Sequence, residues 1–176
     1  MIVPRDYFLT TNRLGFSHWN ESDLAMAMTL WGDPKVAEFI GGPFTDKDIR
    51  ARLAREIETM MTRGIQYWPV FLLHNDDLAG CAGLRPYGNG ERVPELGFHF
   101  RPKYWGQGLA EEAARGVIAY AFDTLAMRSL FAGHHPSNGA SEHLLKKLGF
   151  RWTHEEIYPP TGLLNPAYLL KNPGVR

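Results

Sequence analysis

Hydrophobic and polar positions along the chain follow two rhythms. Leu9 to Phe16, Tyr67 to His74, Leu78 to Leu84, Val93 to Phe100 and Ser129 to His134 are short apolar runs bounded by turn-forming residues, the pattern of β-strands. Asn75-Asp76-Asp77 joins the second and third of them as an antiparallel hairpin, and Arg151 to Tyr158 and Ala167 to Lys171 predict two closing strands. Between the strands the spacing turns helical. Asn20-Glu21-Ser22-Asp23 offers capping groups ahead of Leu24, Ala27, Met28 and Trp31, and Gly32-Asp33-Pro34 stops that helix. Thr45 and Asp48 cap a second helix with Ile49, Leu53, Ile57 and Met60 on one face and Gly64 at its end. The widest apolar face runs from Ala110 through Ala113, Ala114, Val117, Ile118, Ala121 and Phe122 to Leu125, which predicts a long helix lying flat on a sheet. Gly116 inside it costs roughly 1 kcal/mol relative to alanine, which points to close approach of another backbone. Asn138 introduces a last helix through Leu148, stopped by Gly149. Tyr87-Gly88-Asn89-Gly90 reads as a loose connection and Pro159-Pro160-Thr161-Gly162 as a long exposed loop. Interleaved strands and helices place the chain in the α/β (α+β) class, and its length suits one domain over residues 1–176.

Charge and cysteine content narrow the partners. Lys+Arg and Asp+Glu number 19 each, so the chain lacks the broad positive footprint of a nucleic-acid binder, and any anionic ligand must be held locally. No run approaches the roughly 18 apolar residues of a membrane span. The single cysteine, Cys81, has no partner for an internal disulfide, and the opening MIVPRDYFLTTNR lacks a signal-peptide apolar run, so a cytoplasmic location is expected.

The stretch with most chemistry lies between the strand that Pro102 ends and the long helix. Backbone N–H groups of Gly106, Gln107, Gly108, Leu109 and Ala110 stand where a helix begins, so unpaired donors and the helix dipole converge on one anion site. The dinucleotide fingerprint fails here, because Glu111 replaces its third small residue and Met127 and Arg128 stand where a ribose-binding acid belongs. The Walker pattern fails for want of Gly-Lys-Ser/Thr.

Trp105-Gly106-Gln107-Gly108-Leu109-Ala110 with Glu112-Ala113, then Pro136-x-Asn138-x-x-Ser141, then Lys147-Leu148-Gly149-Phe150, resembles the GNAT acetyltransferases. Thr11-Asn12-Arg13-Leu14 with Trp19 is similar to the opening of the RimJ/RimL-type branch. The resemblance implies a mixed, mostly antiparallel sheet with helices on both faces, splayed between its fourth strand (Val93 to Phe100) and its fifth (Ser129 to His134). It implies acetyl-CoA as cosubstrate and no metal. The pyrophosphate would lie on Trp105, Gly106, Gln107, Gly108, Leu109 and Ala110, and the pantetheine arm along the backbone of Phe98, His99 and Phe100. Asn138 and Ser141 would contact the coenzyme. Trp105 departs from the Gln or Arg that often opens the family's turn, which main-chain donors should tolerate.

Amide formation needs a neutral amine. At pH 7 deprotonating an ordinary lysine costs about 4.6 kcal/mol, whereas an α-amine costs roughly 1 to 1.5 kcal/mol, so an α-amine asks less of a base. Glu95 is the first candidate base, directly or through water. Strand alternation puts His99 on the same face as a rival, unless a bulge reverses the parity. Many relatives protonate the departing thiolate with a tyrosine, but the corresponding residue here is Leu145, and the resemblance points instead to the Ser141 hydroxyl. Cys81, mid-strand among small residues, reads as a buried inert thiol, which favours direct attack in a ternary complex. Adjacent His134 and His135 point to opposite faces of a strand, with no third ligand spaced to make a metal site. The expected function is acetyl transfer to a primary amine, on a protein N-terminus or a small molecule; the alternatives are an acyl-CoA sensor without turnover, or an acetyltransferase for a polyamine, amino acid or antibiotic amine. Asp33 to Phe44 and Pro159 to Pro166 are the segments expected to line the acceptor. Neither nucleic acid nor membrane is an expected partner, and a homodimer is left open.

Overall fold

A computed structural model describes residues 5–88 and 93–175, so Asn89 and Gly90 of the expected connection lie outside the described residues. Eight strands form one sheet in the order β1-β2-β3-β4-β5-β6-β8-β7. They are β1 (Leu9–Thr10), β2 (Leu14–Phe16), β3 (Tyr67–Leu72), β4 (Leu78–Pro86), β5 (Pro94–Phe100), β6 (Ser129–Gly133), β7 (Arg151–Tyr158) and β8 (Leu163–Lys171). The helices are α1 (Leu24–Trp31), α2 (Pro34–Ala37), α3 (Asp46–Arg63), α4 (Leu109–Ala119) and α5 (Gly139–Lys147). Every strand pair is antiparallel except β5–β6, which is parallel and registered only at Glu95↔Phe131. Beyond that pair the two strands diverge, as the resemblance implied.

Each face of the sheet carries its own core. Leu96 and Phe100 of β5 pack with Ala113 and Val117 of α4 and Leu145 of α5 on one face. Tyr67, Phe71 and Cys81 pack with Leu30 and Trp31 of α1 and Ile49 and Leu53 of α3 on the other. The capping chemistry behaves as its residues dictate: Thr45 and Asp48 close a capping box on α3, and Gly64 ends it in the left-handed conformation.

Four expectations need correction. The first predicted strand is a hairpin, because Thr11-Asn12-Arg13 turns between β1 and β2, with Thr11 N donating to Leu14 O at 2.8 Å. The loop after Tyr158 is a tight four-residue turn closed by Gly162 N to Tyr158 O at 2.8 Å, and β8 already begins at Leu163. The long helix changes pitch after Ala119 into a π-turn over Tyr120–Thr124. Gly116 makes room for a side chain rather than a backbone, since a Cβ there would meet the Thr11 methyl at 2.8 Å. One further element, α2, begins where the Asp33 carboxylate accepts from Lys35 N at 2.9 Å, with Pro34 in its first turn. Among the described residues no helix is long and apolar enough to cross a membrane.

Candidate active site

The end of β5 is tied down before the glycine turn begins. Arg101 donates to Leu78 O at 2.9 Å, and Arg101, Lys103 and Tyr104 all converge on the Asp77 carboxylate, Lys103 Nζ at 2.5 Å. Hydrogen bonds from Lys103 and Tyr104 lower Asp77 to about 2, against a smaller effect of burial. Trp105 Nε1 donates to Phe100 O at 2.7 Å, which folds the indole back over the strand end. Gly106 and Gly108 then take φ of 74° each, the left-handed region that side chains disfavour. Gly108 is the N-cap of α4 and brings no side chain to cap it, and the first helical bond is Glu112 N to Gly108 O. The N–H groups of Leu109, Ala110 and Glu111 therefore lack helical partners.

A second network holds this turn from behind. Glu112 accepts from Arg13 Nε at 2.6 Å, Arg13 N at 2.7 Å and Thr11 Oγ1 at 2.7 Å, while Arg13 Nη1 donates to Gln107 O at 3.0 Å. Burial pushes Glu112 up, but these hydrogen bonds and the Arg13 charge outweigh it and hold the carboxyl below its ordinary value. The β1–β2 turn is thereby bolted to the glycine turn.

Two cavities meet where β5 and β6 part. The larger, about 510 Å³, is lined by the glycine turn and by Lys35 and Val36 of α2. The smaller, about 270 Å³, contains Arg52, Arg85, Glu95, Glu156 and Asn165. Phe39, Ile40, Phe98, His99, Asn138 and Ser141 belong to both. Every residue expected to contact the coenzyme lines the larger cavity except Gln107, whose side chain turns back to Lys103 O at 3.2 Å. Asn138 Oδ1 accepts from Ser141 N at 3.1 Å and so caps α5, while no hydrogen bond of the Ser141 hydroxyl is seen among the described residues. Leu145 is buried in the core and reaches the smaller cavity.

Glu95 and His99 do share a face, because β4 and β5 keep unbroken register from Gly80↔Phe100 to Pro86↔Pro94. Their environments differ. Glu95 is a carboxylate bound by Arg85 Nε at 2.7 Å and Nη2 at 3.3 Å. Tyr67 lies beside this pair and against Gly97, where an added Cβ would fall 2.1 Å from its hydroxyl. His99 Nδ1 lies 3.4 Å from Trp31 Nε1 and 3.7 Å from Cys81 Sγ. An indole nitrogen only donates, so Nδ1 accepts and the ring proton sits on Nε2. Burial, followed by Arg52 and Arg85, drives the His99 pKa well below its ordinary value. Burial pushes the Cys81 thiol up to about 12. His134 Nδ1 is 2.8 Å from His135 O and its Nε2 3.3 Å from the Tyr168 hydroxyl, so this pair shapes the loop after β6.

Of the segments expected at the acceptor, Pro159, Asn165 and Pro166 line the smaller cavity and Phe39 and Ile40 line both, while Lys35 and Val36 belong to the larger. Arg52, Arg85 and Lys35 were not singled out from the sequence. The Asp33-Pro34 start of α2 carried a signal for Lys35; nothing local marked the two arginines, which arrive from α3 and β4.

Comparison with known proteins identifies the family and the fold. The family model described as an acetyltransferase (GNAT) domain matches residues 13–151. The uncharacterized N-acetyltransferase YoaA of Bacillus subtilis is 32% identical over 148 residues, covering 81% of this chain and 82% of that protein. The crystal structure of a GNAT-family acetyltransferase from Bacillus anthracis superposes with a TM-score of 0.79 at 24% identity, over 93% of this chain and 98% of that one. The RimL ribosomal L7/L12 α-N-protein acetyltransferase in complex with coenzyme A superposes with a TM-score of 0.78 at 14% identity, over 94% and 98%, a likeness of fold.

Proposed function

This chain belongs to the GNAT acetyltransferase family, whose donor is acetyl-CoA, and from that premise we propose that its two cavities are the donor and acceptor halves of one site for direct acetyl transfer to a primary amine. The observation that carries this reading is their junction at the splay, where Phe98, His99, Asn138 and Ser141 line both. A thioester carbonyl held there is reached by an amine from the other side without an enzyme-bound acyl group. The buried Cys81 thiol has no part in it.

Acetyl-CoA supplies the activated acyl thioester. Donors from Gly106 to Ala110 hold its pyrophosphate, with Lys35 of the same cavity adding a positive charge. The β6-facing edge of Phe98 to Phe100, beyond the last registered pair, pairs with the pantetheine amides. Glu95, held by the Arg85 guanidinium, is the base and takes the amine proton through water, while His99 Nε2 already carries a proton. Ser141 Oγ hydrogen-bonds the departing sulfur. A thiol of pKa about 8.5 leaves readily enough that this contact contributes less than the base. The chain works as one domain over residues 1–176, in the cytoplasm, and the acceptor's α-amine is the least costly nucleophile. The RimJ/RimL branch stands behind the α-amine reading at the level of fold.

The test is thermal unfolding with coenzyme A, followed by thiol release from acetyl-CoA against a panel of amines and peptides. Saturating coenzyme, at 100 times its Kd, should add about 2.7 kcal/mol of stability. Absence of both the shift and thiol release would sink the reading.

A further inference from the structure

The smaller cavity contains polar groups that acetyl transfer does not use. Arg52 lies with its guanidinium carbon 4.5 Å over the Trp31 ring, and its buried Nε and Nη2 have no hydrogen-bond partner among the described residues. The nearest carboxylate is Glu56, whose Oε1 is 3.8 Å from Nη2, beyond hydrogen-bond reach, and whose Oε2 accepts from Tyr67 N at 2.8 Å. Asn165, 8% exposed, also lines this cavity, and its buried Oδ1 has no hydrogen-bond partner among the described residues. It stands two residues before Ala167, the partner of Gly133, at the splayed end of β8.

The other charged groups of this cavity are committed. Arg85 and Glu95 hold one another, and Glu156 accepts from the Tyr87 hydroxyl at 2.7 Å with His154 at 3.3 Å. His99 is kept neutral by burial and by Arg52 and Arg85. What remains, among the described residues, is a guanidinium that is ion-paired to Glu56 but makes no hydrogen bond at Nε or Nη2, and one acceptor without a donor. Buried N–H groups without an acceptor are costly, so a ligand carboxylate that accepts from Nε and Nη2 is favoured there. A polycation would instead need surplus carboxylates, and both lining acids are already bound.

We propose that the acceptor is a free amino acid, its carboxylate bound by Arg52 and its amine N–H accepted by Asn165 Oδ1. The inference rests on the acetyltransferase reading of the same site and names its substrate class. A cavity of about 270 Å³ suits a metabolite of that size.

The test uses the intact chain with free proteinogenic amino acids, the methyl ester and decarboxylated amine of each, spermidine, and a peptide with an acidic first residue. Free amino acids should exceed their own esters and amines at least about tenfold in kcat/KM, and R52Q should erase that preference mainly through KM. R52K should restore part of it, and the thermal shift with coenzyme A should persist in both variants, showing that they fold. Esters, spermidine or the peptide matching the free amino acids, or R52Q leaving the preference in place, would overturn the proposal. If the intact protein shifts with coenzyme A yet acetylates nothing, the transfer reading has failed separately. Calorimetry with N-acetyl amino acids and their methyl esters then still decides the carboxylate site: equal binding refutes it, and a preference for the acid that R52Q abolishes supports it.

Discussion

The larger cavity includes the main chain of one contiguous turn among its polar lining, beside side chains such as Lys35 and Asn138, whereas the charged groups of the smaller are side chains delivered by α3, β4, β5 and β7, joined by Asn165 of β8. The first presents N–H groups whose direction follows from a helix start and two positive-φ glycines. The second presents polar side chains that acquire meaning through partners on other elements, Arg85 through Glu95, Arg52 through Trp31 and Tyr87 through Glu156, with Glu56 one helical turn from Arg52 as a further partner. A main-chain site tolerates exchange of most of its side chains, and a side-chain site does not. A fold with one constant donor and many acceptors is well served by that division.

Substitutions can break or sharpen the contrast. The largest effect is expected from Glu95→Gln, which keeps an acceptor for Arg85 but cannot take a proton: kcat should fall about 10² to 10⁴-fold, with the coenzyme A thermal shift intact. A variant retaining most of its turnover would remove Glu95 as base. Next, Gly97→Ala drives a methyl into Tyr67 and should cost about 1 to 3 kcal/mol by overpacking, lowering Tm by roughly 2 to 4 °C per kcal/mol. An unchanged melting curve would show that the acceptor wall yields more easily than its packing implies. Third, Glu112→Gln weakens the charge-assisted grip on Arg13 and so loosens the turn. A loss of about 1 kcal/mol should raise the acetyl-CoA KM roughly fivefold and leave the acceptor KM alone; equal rises in both would mean that the two walls are not independent.

The smallest effect concerns Asp77, which braces the approach to the turn. Its pKa is lowered to about 2 from 3.8, so its contribution to stability is complete above 3.8 and is lost as pH falls through about 2. Because Asp77 is partly exposed, that contribution is less than about 1 kcal/mol. Asp77→Asn should remove a slope of stability against pH confined to that window, measured by acid unfolding. A slope that survives the substitution would assign it to other carboxylates.

Local rules carried the reading where a feature is complete within a few residues. Thr45 with Asp48 and Gly64 bounded α3, Asn138 and Gly149 bracketed α5, and the parity of Glu95 and His99 followed from alternation along an unbroken strand. The failures share a cause. Thr11-Asn12-Arg13 turns because Glu112, 101 positions after Thr11, gathers its donors, and Gly116 is small because Thr11 packs on it. Leu163 and Leu164 joined β8 through register with β7, which no local pattern announced.

By itself the sequence determined the central strands, the capped ends of α3 and α5 and the glycine turn, because hydrogen-bond geometry and backbone sterics act between residues close along the chain. The tertiary structure alone decided that Glu95 is ion-paired to Arg85, that His99 carries its proton on Nε2, and that Arg52 and Asn165 bring to one cavity buried polar atoms that make no hydrogen bond among the described residues. Those properties depend on burial and on charges brought together by folding, and no spacing along the chain encodes the dielectric or the neighbours that a side chain will meet.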